Sequence, residues 1–252
     1  MSRFVTLLKT QPFTLVASLP SNDPALARAA LEGGADVIKV HINVHHRASG
    51  TSFGPLDEER DRLVAVLEVC KVKAPGASPV PVGIVPGGDS SVVEAGLVEV
   101  LRDMGFDFIS AYAHHLSPTC LDVDGIGKMV AADFTYTSQD ISTLAGMRFD
   151  VFEASVMHPD TYGHRLSLKD VATYTRLCDT VRRPVIIPTQ RAIRPEEVRQ
   201  LAAAGAKGIM VGAVVTGKTP ETVRESVERF RKAIASLDEP QQPCDNRWEE
   251  LR

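Results

Sequence analysis

The sequence predicts an α/β protein, a closed (β/α)8 barrel of the TIM type, from its length and from two features of its pattern. A single barrel of this type uses about 250 residues, and the chain has 252. Eight short apolar segments rich in valine and isoleucine recur along it, as expected of parallel strands buried on both faces. Helical patterns separate most of them, and this alternation favours a parallel sheet. An open doubly wound sheet is the alternative, but it usually has fewer strands.

The predicted strands cover 13–18, 36–41, 80–85, 106–112, 129–134, 149–155, 184–189 and 208–213. The clearest predicted helices cover 24–33, 90–104 (after Asp89), 167–182, 195–204 and 220–236. The segment 116–128 contains two glycines and a proline, which indicates that the fourth helix is short or absent. We expect the barrel to occupy residues 1–237 and a C-terminal tail, 238–252, to lie outside it.

Composition and charge narrow the functional class. Hydrophobic residues make up 44% of the chain, and 28 basic against 32 acidic residues give a net charge of −4. No broad basic face is implied, so no nucleic-acid partner is expected. The apolar runs are too short to span a bilayer, so no membrane partner is expected. The N-terminus lacks a signal-peptide pattern and the four cysteines are scattered, which indicates a cytoplasmic protein. We expect no cofactor and allow for a homo-oligomer.

The histidines point to the end of the barrel where an active site is expected. In a (β/α)8 barrel the chemistry takes place at the carboxyl ends of the strands and in the loops that follow. All seven histidines fall there: His41, His45, His46, His114, His115, His158 and His164. Histidine is also common in loops, so this clustering leaves both a functional and an incidental interpretation open.

Charged residues inside three apolar strands are the candidate catalytic groups. Lys39 lies in a run of valine and isoleucine, where an ionisable side chain is unfavourable unless it has a partner or a function. Asp133 and Glu153 lie near the ends of the fifth and sixth predicted strands. A lysine and two carboxylates in one cavity could supply an acid and a base with separated pKa values. The alternative for Lys39 and Glu153 is a structural ion pair.

Period-two alternation places Lys39, His41 and Asn43 on one face of the second strand. His41 and His114 are candidates to assist proton transfer, and Asn43 to bind the substrate. A metal site formed by the histidines is an alternative, but no metal-binding motif is present and none is predicted. Residues 212–219 also satisfy the Walker A pattern, although Pro220 follows at once and no Walker B strand accompanies it.

Several strand-end motifs give a resemblance to a known family. The segments 129–135 (MVAADFT), 183–191 (RPVIIPTQR) and 204–213 (AGAKGIMVGA) occur in the order found in bacterial N-acetylmannosamine-6-phosphate 2-epimerases. The chain therefore resembles these phosphate-binding barrels over most of residues 13–236. The resemblance implies an active-site Asp133 and a phosphate site after the last two strands. Its candidate residues are Arg191, Gln190, Gly212 and Ala213.

The catalytic lysine and glutamate of that family are absent from the matching positions here. Pro86 stands where the family has the lysine, and Thr189 stands where it has the glutamate. Because proton abstraction beside a carbonyl needs such groups, the resemblance implies a related scaffold with relocated acid and base groups. Lys39 and Glu153 are the replacements we expect.

These observations predict an enzyme acting on a small phosphorylated, sugar-like metabolite. The reaction would be an isomerisation, an epimerisation or a lyase reaction through an enolate or imine, with Lys39 as base, electrophile or imine-forming amine. Glu153 and Asp133 would transfer protons, and the loops 42–57 and 156–166 would close over the ligand. A non-catalytic barrel that binds a phosphorylated metabolite and a metal-dependent enzyme remain alternatives.

Overall fold

The computed structural model describes residues 2–71, 78–88 and 92–238, and it confirms the closed barrel. All eight predicted strands are present, within three residues of the predicted ends. An additional two-stranded hairpin lies inside the segment 42–57, where the sequence predicts only a loop. The strands are β1 (Thr14–Ser18), β2 (Val37–His41), β3 (Val44–His46), β4 (Thr51–Phe53), β5 (Val82–Val85), β6 (Phe108–Tyr112), β7 (Gly127–Ala131), β8 (Val151–Glu153), β9 (Val185–Pro188) and β10 (Gly208–Val211).

The barrel strands follow one another around the ring as β1, β10, β9, β8, β7, β6, β5 and β2, and all neighbours are parallel. In this ring β2 and β8 are four strands apart in either direction, so they lie opposite each other. Lys39 on β2 pairs in register with Ser18 of β1, and Glu153 on β8 pairs with Ile186 of β9. Lys39 is therefore level with the carboxyl end of β1, and Glu153 is the last residue of the opposite strand, β8.

The α-helices of the described ranges are α1 (Arg3–Thr10), α2 (Pro24–Glu32), α3 (Leu56–Lys71), α4 (Ala95–Met104), α5 (Ser138–Ala145), α6 (Leu168–Val181), α7 (Val198–Ala203), α8 (Ala213–Thr216) and α9 (Pro220–Ala235). Helix α4 begins later than predicted, after Glu94, and Asp89 lies outside the described residues. As expected, β6 and β7 are joined without an α-helix, by the short 3₁₀ helices Ala113–His115 and Pro118–Asp122.

The helices begin and end where local chemistry favours it. The carboxylate of Asp23 accepts the backbone N–H of Ala25, and Pro24 occupies the first helical position of α2. Ser167 and Asp170 form a reciprocal capping box at the start of α6. Gly105 ends α4 with a φ of 102°, a conformation that only glycine adopts readily.

Helix α1 closes the amino-terminal end of the barrel. The ring of Phe4 stacks on Phe108 with centroids 4.0 Å apart, and Leu8 is buried beside it. A Cβ atom at Gly83 would lie 2.0 Å from the ring of Phe108, so glycine is required on β5 for this ring to fit. The inside of the barrel is therefore filled by apolar side chains at one end, which leaves the carboxyl-terminal end for a cavity.

No helix of the described residues is long and apolar enough to cross a membrane. The predicted C-terminal tail, 238–252, lies outside the described residues from position 239 onward.

Candidate active site

A cavity of about 420 Å³ opens at the carboxyl-terminal end of the barrel. Residues from almost every strand end line it, which is the arrangement expected of a barrel active site. Of the predicted site residues, the cavity lining includes Lys39, His41, His114, Asp133, Glu153, Gln190 and Gly212. The cavity thus brings together all the predicted catalytic residues.

Lys39 and Glu153 form an ion pair across the floor of this cavity. The Nζ atom of Lys39 donates to Oε2 of Glu153 at 3.2 Å, and the two side chains are 6% and 9% exposed. Ser110 donates its hydroxyl to the same oxygen at 2.6 Å, and Ser155 donates to Oε1 at 2.8 Å. Both carboxylate oxygens of Glu153 are therefore hydrogen-bonded, and the ammonium group of Lys39 is held at a fixed place.

The charge of Glu153 is stabilised despite its burial. Burial alone would raise its pKa, but the positive charge of Lys39 and the hydroxyl groups of Ser110 and Ser155 outweigh this effect. The resulting pKa lies below the ordinary value for a glutamate. Glu153 is thus an ionised partner for Lys39 over the neutral pH range.

Hydroxyl groups extend from this ion pair toward the cavity mouth. The hydroxyl of Tyr112 lies near those of Ser155 and Tyr162, and the Tyr162 hydroxyl accepts a hydrogen bond from the amide of Gln190. Burial raises the pKa of Tyr112, so its hydroxyl stays protonated. Glu153, Ser155, Tyr112, Tyr162 and Gln190 therefore form a cluster of polar side chains that line the cavity.

His41 and His46 are neutral groups on the opposite wall. Burial lowers the pKa of His41 well below its ordinary value, with His46 and Lys39 contributing, and burial lowers the pKa of His46 to about 4. The two rings lie 4.6 Å apart, and the ring of Phe53 lies 4.8 Å from His41. Nε2 of His41 is 3.4 Å from the hydroxyl of Ser18, while its buried Nδ1 has no partner among the described residues.

Asp133 and His114 lie on the rim. One oxygen of Asp133 accepts from the backbone N–H and from the hydroxyl of Thr135, at 2.9 and 2.5 Å. His114 stacks on Tyr112 with centroids 5.3 Å apart, and its Nδ1 lies 3.2 Å from the hydroxyl of Tyr136. Both residues line the cavity while keeping these local contacts.

Three predicted binding residues do not line the cavity. Arg191 bonds to the carboxylate of Asp170 at 2.8 Å and to the carbonyl of Thr161 at 2.9 Å. Asn43 adopts a φ of 52° and donates its amide to the carbonyl of Pro86 at 3.0 Å, which fixes the turn after β2. Ala213 begins α8 and is not among the lining residues, although its neighbour Gly212 is. The predictions for Arg191 and Asn43 relied on the place of each residue after a strand and overlooked the local partner that holds its side chain.

The remaining two binding candidates line the cavity with part of their hydrogen-bonding capacity already used. The N–H of Gly212 donates to the hydroxyl of Thr189 at 3.0 Å. The amide of Gln190 accepts from the N–H of Met157 and donates to the carbonyl of Ser155, both at 3.1 Å. Gln190 therefore orients the loop after β8.

Sequence reasoning missed several polar residues of the site, namely Ser18, Arg47, Ser110, Tyr112, Ser155, Tyr162 and Thr189. For β6 a signal existed, because Phe108, Ser110 and Tyr112 alternate along the strand and share its inward face. No comparable pattern marks Arg47 or Tyr162, which lie in loops.

The alternative sites find little support in the geometry. Among the described residues, no group of three histidine, cysteine, aspartate or glutamate side chains is placed to hold a metal ion. The Walker-like segment 212–219 contains helix α8, and Lys218 is not among the cavity-lining residues. A phosphate-binding loop would wrap its backbone around the phosphates at that position.

The fold and the cavity define the class of this chain, a (β/α)8 barrel with a polar cavity at its carboxyl-terminal end. No protein-family model and no curated protein matches the sequence. The chain is similar to solved barrel structures, among them thiamine phosphate pyrophosphorylase from Pyrococcus furiosus, with 15% identity, a TM-score of 0.64, and coverage of 90% of this chain and 98% of that one.

Two further solved structures show the same likeness. Tryptophan synthase from Mycobacterium tuberculosis has 14% identity and a TM-score of 0.65, covering 92% of this chain and 98% of that one. KGPDC from Streptococcus mutans has 12% identity and a TM-score of 0.62, covering 90% of this chain and all (100%) of that one. At these identities the likeness shows the barrel fold, and it does not single out the N-acetylmannosamine-6-phosphate 2-epimerases.

Proposed function

We propose that the protein is an enzyme acting on a small phosphorylated, sugar-like metabolite, by isomerase, epimerase or lyase chemistry beside a carbonyl group. The observation that carries this proposal is the Lys39–Glu153 ion pair across the floor of an open cavity. A buried ion pair seldom adds more stability than an apolar pair of similar size would. Its position in the cavity, where a ligand can reach it, favours a chemical role over a structural one.

Lys39 can act on a substrate carbonyl in two ways. As an ammonium group it can donate a hydrogen bond to the carbonyl oxygen and stabilise the negative charge of an enolate. As an amine, after losing a proton to solvent, it can add to the carbonyl carbon and release water to form an imine. Either path makes the neighbouring C–H bond acidic, because its electron pair can move toward the activated carbonyl or imine.

Asp133 and His114 are the proposed proton-transfer groups on the rim. A carboxylate at Asp133 can accept the proton from the carbon beside the carbonyl and return it to the same or the opposite face. His114 can assist from its place beside Tyr112 and Tyr136. Glu153, with both oxygens hydrogen-bonded, serves as the ionised charge partner that holds Lys39 in place.

The phosphate group is assigned to the region after β9 and β10. Gly212 and Val214 line the cavity there. The first N–H groups of a helix such as α8 have no hydrogen-bond partner inside the helix itself. Backbone N–H groups and the hydroxyl of Thr189 are suitable ligands for a phosphate. The likeness to a barrel named for thiamine phosphate supports this assignment.

Solvent hydrogen exchange tests the proposal without knowledge of the full reaction. The protein is incubated in D₂O with dihydroxyacetone phosphate, glyceraldehyde 3-phosphate and a panel of phosphorylated pentoses and hexoses, and proton NMR follows the C–H signal beside the carbonyl. At least one compound should exchange this hydrogen for deuterium. Binding of these compounds without exchange of any would favour the non-catalytic alternative.

Borohydride reduction then separates the two forms of the mechanism. An imine is reduced to a stable secondary amine, which adds the substrate mass to one lysine in a mass spectrum. The adduct should be on Lys39, should be absent from Lys39→Met, and should persist in Lys169→Met, which changes an exposed lysine on α6. Exchange without an adduct would indicate the enolate path.

A further inference from the structure

The hairpin of β3 and β4 extends from β2 over the cavity. Its strands pair in antiparallel register, with His46 opposite Thr51. The rings of His46 and Phe53 lie against His41 on the cavity wall, and Nδ1 of His46 lies 2.9 Å from the hydroxyl of Ser49. These contacts tie the hairpin to the barrel and fix where its turn lies.

Arg47, the first residue of that turn, lines the cavity. Burial raises the pKa of Tyr162, and the positive charge of Arg47 is close enough to oppose this rise. Tyr162 follows β8, which lies opposite β2 in the ring. Arg47 and Tyr162 therefore line the same cavity although they follow opposite strands of the ring.

Arg47 differs from the other cations near the mouth in having no acidic partner. Lys39 is paired with Glu153, and Arg191 is paired with Asp170. Within residues 2–71, 78–88 and 92–238, Arg47 forms no ion pair with a carboxylate. A guanidinium group that faces a cavity without a carboxylate has its donors available for an anion, and its planar geometry suits a phosphate.

We infer that Arg47 is the cation that binds the phosphate of the substrate, in the role that the sequence assigned to Arg191. This inference rests on the proposed function, because it names the residue that recognises the phosphorylated substrate. The hairpin supplies the charge, while the N–H groups and hydroxyl after β9 and β10 supply neutral donors. The predicted ligand class is a phosphate monoester small enough for a cavity of about 420 Å³.

Calorimetric titration of the full chain with inorganic phosphate and with dihydroxyacetone phosphate tests the inference. Arg47→Gln should weaken binding of both by about tenfold or more, the loss expected for a charge-assisted hydrogen bond. The affinity of Arg47→Lys should lie between those of the original chain and Arg47→Gln, because lysine keeps the positive charge and loses the paired donors of the guanidinium group. Thermal melting should be nearly unchanged, because Arg47 is exposed and forms no ion pair there.

Two arginine variants complete the test. Arg28→Gln removes an exposed charge on α2, away from the cavity lining, and should leave phosphate affinity within about twofold of the original chain. Arg191→Gln should lower stability, because it leaves Asp170 unpaired, and should retain affinity in whatever fraction is folded.

Unchanged affinity in Arg47→Gln, with phosphate still bound by the original chain, would overturn the role of Arg47 and leave the proposed function standing. Equal weakening in Arg47→Gln and Arg28→Gln would show a general charge effect and would also overturn it. Failure of the original chain to bind either probe would overturn the inference together with the phosphorylated-substrate proposal.

Discussion

The two ends of this barrel are filled in opposite ways. At the amino-terminal end, α1 places Phe4 and Leu8 against Phe108, and apolar side chains close the interior. At the carboxyl-terminal end, an ion pair, hydroxyl groups and histidines surround an open cavity. One set of strands thus supports a packed apolar plug and a polar site. A change at the apolar end should alter stability and leave activity intact, whereas loss of one partner of the ion pair should alter both.

The largest effect on stability is expected from removing one partner of the ion pair at the polar end. Lys39→Met leaves the carboxylate of Glu153 buried without its cation, which should lower the free energy of unfolding by about 3–5 kcal/mol. The double variant Lys39→Met/Glu153→Gln removes both charges and should recover most of this loss. Urea unfolding of the original chain and the two variants measures both values. A double variant no more stable than Lys39→Met would show that the charges are not coupled.

A smaller effect on stability is expected at the apolar end. Phe4→Leu removes the ring that stacks on Phe108 at 4.0 Å and should lower the free energy of unfolding by about 1–2 kcal/mol. Below its melting temperature this variant should keep the original rate of deuterium exchange, because Phe4 lies at the end opposite the cavity. A large loss of exchange in the folded variant would mean that the two ends are not independent.

The smallest effect on stability is expected from titration of His46, the hairpin residue whose ring lies against His41. The pKa of His46 is lowered from 6.5 to about 4 by burial, so between these values the unfolded chain binds a proton that the folded chain does not. Stability should therefore fall as the pH drops below 6.5, and His46 should account for about 1 kcal/mol of the loss at pH 5.5.

Unfolding measurements at about pH 7.5 and about pH 5.5, on either side of the ordinary histidine pKa, test this assignment. His46→Gln should show a smaller difference between the two pH values than the original chain does. The remaining difference should reflect His41, whose pKa is lowered further by burial, while Glu153 contributes only at lower pH. His164→Gln changes an exposed imidazole and serves as the control. An identical pH dependence of stability in His46→Gln and the original chain would show that His46 is not buried in solution.

The fold was predictable because parallel strands buried on both faces carry a strong local pattern. The same pattern identified Lys39 and Glu153 as candidates, because a charged residue inside an apolar strand is unusual. Loop residues carry no such pattern. Arg191 follows β9 as a binding residue would, and only the three-dimensional structure shows that Asp170 of α6 occupies its guanidinium group. Arg47 gives no sequence signal, because its position over the cavity depends on a hairpin whose strands are only three residues long.

The apolar plug was not predicted for a related reason. Helix α1 contributes Phe4 and Leu8 to a cluster whose other members come from distant strands, among them Phe108 of β6. Phe4, Leu7 and Leu8 recur at helical spacing along its eight residues, but this spacing does not show that they pack against the end of a barrel. Its stability comes from packing against the barrel rather than from its own sequence.

We propose that the ion pair on the cavity floor carries the reaction. The most direct measurement is the rate of deuterium exchange into a responsive phosphorylated substrate, compared between the original chain and Lys39→Met/Glu153→Gln under conditions where both are folded. We expect a loss of about 10³-fold or more in the double variant. A folded double variant that exchanges hydrogen at the original rate would contradict it.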